Sequence, residues 1–190
     1  AFTSFKSGSS EKLVALTFDD GYKNFLTCAV PTLKKYGFSA TVYAVSDLVG
    51  TFNQWDLKNG ISRNDLMDYP DLRNCVSLGM EVGCHSSTHI SLSNEEADLS
   101  HEIKAAKDTL ENKLDFPVNA FCYPYGHFNN QVIRSVQEAS FDSATTMMRS
   151  RATAKDNFLT LPRIPITWHT MPHLFLAKIL TNYEDKRRYA

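Results

Sequence analysis

No stretch of this chain approaches the roughly 18 consecutive apolar residues that a bilayer-spanning helix needs, so no transmembrane segment is expected. Cysteine is sparse and unpatterned. Cys28, Cys75, Cys84 and Cys122 are the four in 190 residues, and none falls in a CxxC spacing. An even count permits disulfides, but this is no disulfide framework. An excess of one charge is missing too. Twenty basic and 21 acidic side chains leave a formal net charge of -1, which argues against a duplex nucleic-acid binder with its basic stripe. The longest basic run, Lys186-Arg187-Arg188, reads as a solvated tail. Internal repeats and low-complexity segments are absent. The opening Ala1-Phe2-Thr3-Ser4 is neither an initiator Met nor a signal peptide. A processed form or a fragment is therefore expected, with any targeting signal beyond the chain.

What is present suits one globular domain over residues 1–190. The length allows a single core, and 43% hydrophobic residues is ordinary for a globular protein. Short apolar runs alternate with helical patterns. Residues 13–18 read as a buried strand ending at Asp19-Asp20-Gly21. A helix follows to Tyr36, closed by Gly37. Residues 40–45 form a β-branched strand, residues 66–78 a helix interrupted at Pro70, and residues 80–84 a short strand ending at His85. A long helix runs from Asn94 to about Leu114, with Ser93 and Glu96 as a capping box. Leu99, Ile103, Ala106, Leu110 and Leu114 share one of its faces. A strand at 120–123 meets Pro124, and a helix carries Val132, Ile133, Val136 and Ala139. Strands near 143–147 and 158–161 and a helix from about Pro172 complete the pattern. Such alternation implies an α/β fold with mainly parallel strands covered by helices. In parallel α/β architectures sites form beyond the carboxyl ends of strands, where Asp19, Asp20, His85 and Tyr123-Pro124-Tyr125 fall.

Four segments carry possible chemistry. In Thr17-Phe18-Asp19-Asp20-Gly21, adjacent carboxylates can serve one site only if the strand breaks there, and Gly21 permits that. Taken alone, the segment also reads as a plain polar turn. In His85-Ser86-Ser87-Thr88-His89, histidines four apart meet at one metal if a helical turn lies between them. The alternative is two loop histidines without a ligand. Together the segments offer a carboxylate and two imidazoles, a three-ligand metal set with open positions. Phe121-Cys122-Tyr123-Pro124-Tyr125-Gly126 holds a tight turn that can aim a backbone N–H at a reacting oxygen. In Leu161-Pro162-Arg163-Ile164-Pro165, Arg163 reads as a structural ion-pair residue or as a partner for a site carboxylate. His101 reads as surface.

In this order, the four segments resemble the polysaccharide deacetylase family, also called the NodB-homology or carbohydrate esterase family 4 domain. The resemblance spans Lys12 to Ile166. It rests above all on the intact Thr17-Phe18-Asp19-Asp20-Gly21 and His85-Ser86-Ser87-Thr88-His89. It implies a distorted (β/α)7 barrel and removal of an N-acetyl, or sometimes O-acetyl, group from a sugar. It implies Asp19 as base, Asp20, His85 and His89 as ligands of a divalent metal, and the Tyr125 backbone N–H facing the oxyanion. Zinc is the first choice of metal, with cobalt, nickel or iron also suited.

Two departures from the family pattern stand out. The family's third motif, R-x-P-Y, has Cys122 in place of its Arg, so Arg163 is expected to supply that cation to Asp19. The late L-x-H motif that brings the general acid has no copy, leaving His127, His169, His173 or Asp19 itself for that step. The Tyr-Pro-Tyr-Gly turn resembles the branch acting on poly-β-1,6-N-acetylglucosamine, while chitin oligomers, peptidoglycan and lipid-linked sugars stay open as substrates. Trp55, Tyr125, Trp168 and Phe128 are candidates for stacking on sugar rings. Such substrates place the expected site of action outside the cytoplasm. Two other readings compete. One is a glycoside hydrolase using Asp19 and Asp20, whose carboxyls would need to lie about 5–9 Å apart. The other is a carbohydrate-binding domain that has lost its acid.

Overall fold

A computed structural model describes residues 13–187. The opening residues 1–12 and Arg188 of the basic run lie outside them. Among the described residues six strands form one sheet, all parallel and in chain order. They are β1 (Thr17–Phe18), β2 (Thr41–Ala44), β3 (Glu81–Cys84), β4 (Ala120–Cys122), β5 (Ser143–Arg149) and β6 (Leu161–Arg163). Parallel neighbours need crossovers, and helices supply most of them. The result is the expected α/β fold, with the sheet curled into a half-barrel.

The central strands are covered on both faces, which is why they read as apolar runs. Val42, Val82, Cys84, Phe121 and Ala144 are fully buried. β1 differs because it is an edge. Leu13 and Val14 are exposed and only Thr17 and Phe18 pair, so the buried strand expected over 13–18 shrinks to two residues. β6 starts at Leu161, the last residue of its expected span, and contains Pro162. An edge strand tolerates a residue without an N–H.

Helix ends also differ from the sequence reading. After a π-helical turn at Phe25–Ala29 comes α1 (Val30–Lys35), and the short α2 (Gln54–Leu57) lies in the next connection. In α3 (Tyr69–Ser77), Asp68 and Asp71 form a reciprocal capping box. Pro70 sits in the first turn, where its missing N–H costs nothing, so it opens the helix rather than interrupting it. The box expected at Ser93 and Glu96 does not form. Asp98 Oδ1 instead accepts from the N–H groups of Ser100 and His101, and the helix starts there. A π-helical stretch, Ser100–Ala105, leads into α4 (Ala106–Leu114). Its apolar stripe is buried as read: Ile103, Ala106, Leu110 and Leu114 lie in the core and Leu99 packs against it. Asn129 caps α5 (Asn130–Glu138).

The last helix, α6 (Pro172–Leu180), is tied back by charge. The fully buried Glu184 pairs with Lys178 at 3.0 Å and with Arg149 of β5 at 2.9 Å. No helix among the described residues is long and apolar enough to cross a membrane.

Candidate metal and catalytic site

At the end of β1 the chain turns through two left-handed residues, Asp20 (φ 74°) and Gly21 (φ 75°). Asp tolerates this conformation better than most residues, and Gly21 lies against β2. A Cβ there would stand 3.4 Å from Ala44 Cα. The Gly21 carbonyl accepts from the Met67 N–H at 2.9 Å, which pins the turn. The strand therefore breaks where the paired carboxylates require it, and both reach one site.

His85 follows β3 directly. Its Nδ1 lies 2.7 Å from the Cys122 carbonyl. A carbonyl only accepts, so Nδ1 carries the hydrogen and Nε2 faces Asp20, 3.3 Å from Oδ1. His89 Nε2 lies 3.2 Å from the same oxygen. The helical turn expected between the histidines is absent. The loop brings them together instead through left-handed Ser86 (φ 63°) and His89 (φ 60°). Ligand atoms of Asp20, His85 and His89 all lie within 4.8 Å of one another.

Electrostatics mark this as a cation-seeking point. Burial disfavours the Asp20 carboxylate, yet the hydrogen bonds and charges of His85 and His89 outweigh it and hold Asp20 well below the usual carboxylate range. Burial also disfavours a charged His85, but Cys122, Asp20 and Asp19 outweigh that and raise it well above an ordinary imidazole. One carboxylate oxygen and two converging Nε2 atoms suit zinc and similar divalent metals. Cys122 is not part of this set. It belongs to an overlapping group with Asp19 and His85, and its sulfur already receives Arg163 Nη2 at 3.4 Å.

Arg163 comes from the opposite edge of the sheet. Its Nη1 and Nη2 meet Asp19 Oδ1 and Oδ2 at 2.6 and 2.8 Å. Nε donates to the Thr146 carbonyl at 2.9 Å, and Nη1 also reaches Thr17 Oγ1 at 3.3 Å. This two-pronged pair joins β6 to the end of β1, which share no backbone ladder. Burial would raise the pKa of Asp19, but Arg163, with a smaller contribution from His85, lowers it below its ordinary value. The cation expected from another strand in place of Cys122 is therefore beside Asp19.

The turn Pro124–Gly126 holds Tyr125 at φ 58°. Its half-exposed ring meets the His89 ring edge-on at 4.8 Å, while Trp55 of α2 stacks on His89 at 4.2 Å. The other aromatic candidates lie elsewhere: Phe128 packs on Tyr123, and Trp168, 87% exposed, lies tilted against His169. His127 pairs with Ser91 Oγ at 2.9 Å. Among the described residues, none of His127, His169 and His173 bonds to Asp19 or Asp20. The sequence reading missed Glu102, which binds the backbone of the histidine loop. It also missed the pair Tyr22–Asp56, bonded at 3.3 Å. Glu102 lay hidden because a Glu in a helical pattern carries no sign of what it faces across the fold.

Residues 6–144 match the sequence profile of the polysaccharide deacetylase family. A poly-β-1,6-N-acetyl-D-glucosamine N-deacetylase of Staphylococcus aureus (strain MRSA252) is 23% identical over 174 residues, covering 86% of this chain and 58% of that protein. The Streptococcus pyogenes deacetylase PplD, solved in complex with acetate, superposes with a TM-score of 0.79 at 26% identity over 94% of this chain and 76% of that one. A polysaccharide deacetylase from Bacillus cereus, BC0361, gives 0.71 at 25% identity over 87% and 50%. The chain spans about half the length of curated relatives it matches. The family profile covers well over half of the residues and includes both the Asp19-Asp20 turn and the His85–His89 loop; this chain belongs to the polysaccharide deacetylase family.

Proposed function

We propose that this domain is a metal-dependent hydrolase that removes N-acetyl groups from a polysaccharide or oligosaccharide containing N-acetylglucosamine. The observation that carries the reading is the convergence of Asp20, His85 and His89 beside an Asp19 locked to Arg163. Asp20, His85 and His89 would hold the cation, zinc before cobalt, nickel or iron. A divalent cation supplies positive charge that polarises the acetyl carbonyl and eases deprotonation of water.

The chain's own groups do the rest. The Asp19 carboxylate takes the proton of the attacking water, and Arg163 keeps it ionised and aimed. The Tyr125 backbone N–H, in the Pro124–Gly126 turn, faces the oxyanion of the tetrahedral intermediate. Asp19 then returns its proton to the nitrogen as the C–N bond breaks, releasing acetate and a free amine. Among the described residues none of His127, His169 and His173 bonds to a site carboxylate, which favours Asp19 for this step. A glycosidase needs one carboxyl with a raised pKa as its acid. Both carboxyls here sit in close pairs, Asp19 with Arg163 and Asp20 with His85 and His89, and that reading leaves the two histidines without a role.

The staphylococcal relative and the Tyr-Pro-Tyr-Gly turn support a β-1,6-linked polymer as substrate, and with it action outside the cytoplasm. Acetate release from acetylated glucosamine oligomers, β-1,6- and β-1,4-linked, tests the reading. Activity should vanish with a chelator and return with Zn²⁺ or Co²⁺. Metal analysis of Asp20→Ala should find little metal, and a full complement would sink the ligand set. No acetate under any metal, with sugar binding intact, would favour the binding domain instead.

A further inference from the structure

The loop that carries both histidines needs two left-handed residues, Ser86 and His89. Such backbone persists only where its surroundings over-determine it. On one side the loop's carbonyls are taken by the chain after β2. The Ser46 N–H donates to Ser86 O and the Asp47 N–H to Ser87 O, both at 3.1 Å. On the other side, the N–H groups at the loop's apex go to one side chain. Glu102 Oε2 accepts from the Ser87 and Thr88 N–H groups at 3.1 and 3.0 Å, and Oε1 accepts from Thr88 Oγ1 at 2.5 Å.

Glu102 is 3% exposed and stands where the helix after the loop begins. Among the described residues no Lys, Arg or His pairs with it. A buried carboxylate without a countercharge is costly unless hydrogen bonds satisfy it, and the loop supplies all three. The dependence is mutual: remove the carboxylate, and the buried Ser87 N–H and the part-buried Thr88 N–H lose their acceptor.

We infer that Glu102 is a positioning residue that holds the His85–His89 loop in its ligating shape before a cation arrives. The inference rests on the metal reading above and names a residue outside the ligand set that governs it. Its effect belongs in metal affinity, because an ordered loop has no ordering left to do on binding. Glu102→Ala leaves both N–H groups orphaned. Glu102→Asp keeps the charge but falls one methylene short. Glu102→Gln can still offer one oxygen to both N–H groups while its amide donates to Thr88 Oγ1.

The test uses the whole chain, stripped of metal, with two readouts. Zn²⁺ affinity is measured by competition with a chromophoric chelator, and amide exchange at Ser87 and Thr88 is followed without metal. Glu102→Ala and Glu102→Asp should weaken Zn²⁺ binding about 10- to 100-fold, the usual cost of losing an outer-shell partner, and should speed exchange at both amides. Glu102→Gln should stay close to wild type in both. Should Glu102→Ala fail to fold by circular dichroism, Glu102→Asp and Glu102→Gln carry the comparison. Wild-type Zn²⁺ affinity with unchanged amide protection in Glu102→Asp overturns the inference. A wild type that binds no Zn²⁺ overturns the metal reading instead, and amide exchange then decides whether the clamp itself exists.

Discussion

His85 and His89 aim the same kind of nitrogen at the same Asp20 oxygen, but they are held in different ways. His85 follows β3. Its N–H is bonded to the Ala44 carbonyl and its Nδ1 to the Cys122 carbonyl. Both anchors are backbone groups of neighbouring strands. His89 is five positions from β3, and its buried Nδ1 has no hydrogen-bond partner among the described residues. Its ring is fixed by packing, between the face of Trp55 and the edge of Tyr125. The sheet-side ligand depends on the fold as a whole. The loop-side ligand depends on a few side chains that single substitutions can remove.

The largest effect should come from breaking the Arg163–Asp19 pair, which ties the two edges of the sheet together beside the histidines. Arg163→Ala leaves Asp19 without its guanidinium, and kcat should fall at least about a hundredfold with little change in KM. Arg163→Lys keeps the charge but not the fork, and should recover only part of the rate. Unchanged steady-state kinetics in Arg163→Ala would remove Arg163 from the machinery.

On the loop side, Trp55→Ala should weaken Zn²⁺ binding about tenfold, in the range for outer-shell supports. Trp55→Phe, which keeps a stacked ring, should nearly restore it. Equal affinity in all three proteins by chelator competition would erase the contrast between the histidines. A smaller change sharpens it. His85 bonds to the backbone oxygen of Cys122, so Cys122→Ala should leave Zn²⁺ affinity within a few-fold of wild type. A large loss would mean that the thiol itself supports the site.

The smallest effect on the site is expected at the clasp around Glu184, which touches neither histidine. Burial would raise the pKa of Glu184, but Lys178 and Arg149 lower it below the ordinary value. A lowered folded pKa contributes stability that is complete above the usual glutamate range, about 4.3, and is lost as pH falls through the folded value. Glu184→Gln should therefore lower thermal stability at neutral pH by about 1–2 kcal/mol, discounted for the partly exposed Arg149. The gap from wild type should close as the solution is acidified, and Zn²⁺ affinity should not move. A gap that widens in acid contradicts this assignment.

The alternation of strands and helices was legible because apolar runs and periodic stripes report burial directly. The stripe from Leu99 to Leu114 is one case, and the β-branched run of β2 another. Element ends were less legible. Pro70 reads as a break until Asp68 and Asp71 are seen capping the turn that contains it. Ser93 and Glu96 match a capping pattern, but Asp98 captures the N–H groups that start the helix. Several polar side chains compete for each helix start, and packing of the flanking loop chooses among them.

Residue type and spacing made Asp19, Asp20, His85 and His89 candidates, because few side chains suit a divalent cation and two short motifs contained them all, and the family resemblance singled them out. The resemblance also implied a cation beside Asp19, because Cys122 stands where the family motif has its Arg. Tertiary structure decided how the pieces meet. It brought Arg163 to Asp19 across 144 residues by curling the sheet until its two edges approached. It joined the histidines through a left-handed loop instead of a helical turn, and it gave that loop's N–H groups to Glu102. The physical reason is the same in each case. Chemical identity is written in a residue, but a hydrogen bond depends on where its partner lies, and that is settled only when the chain has packed.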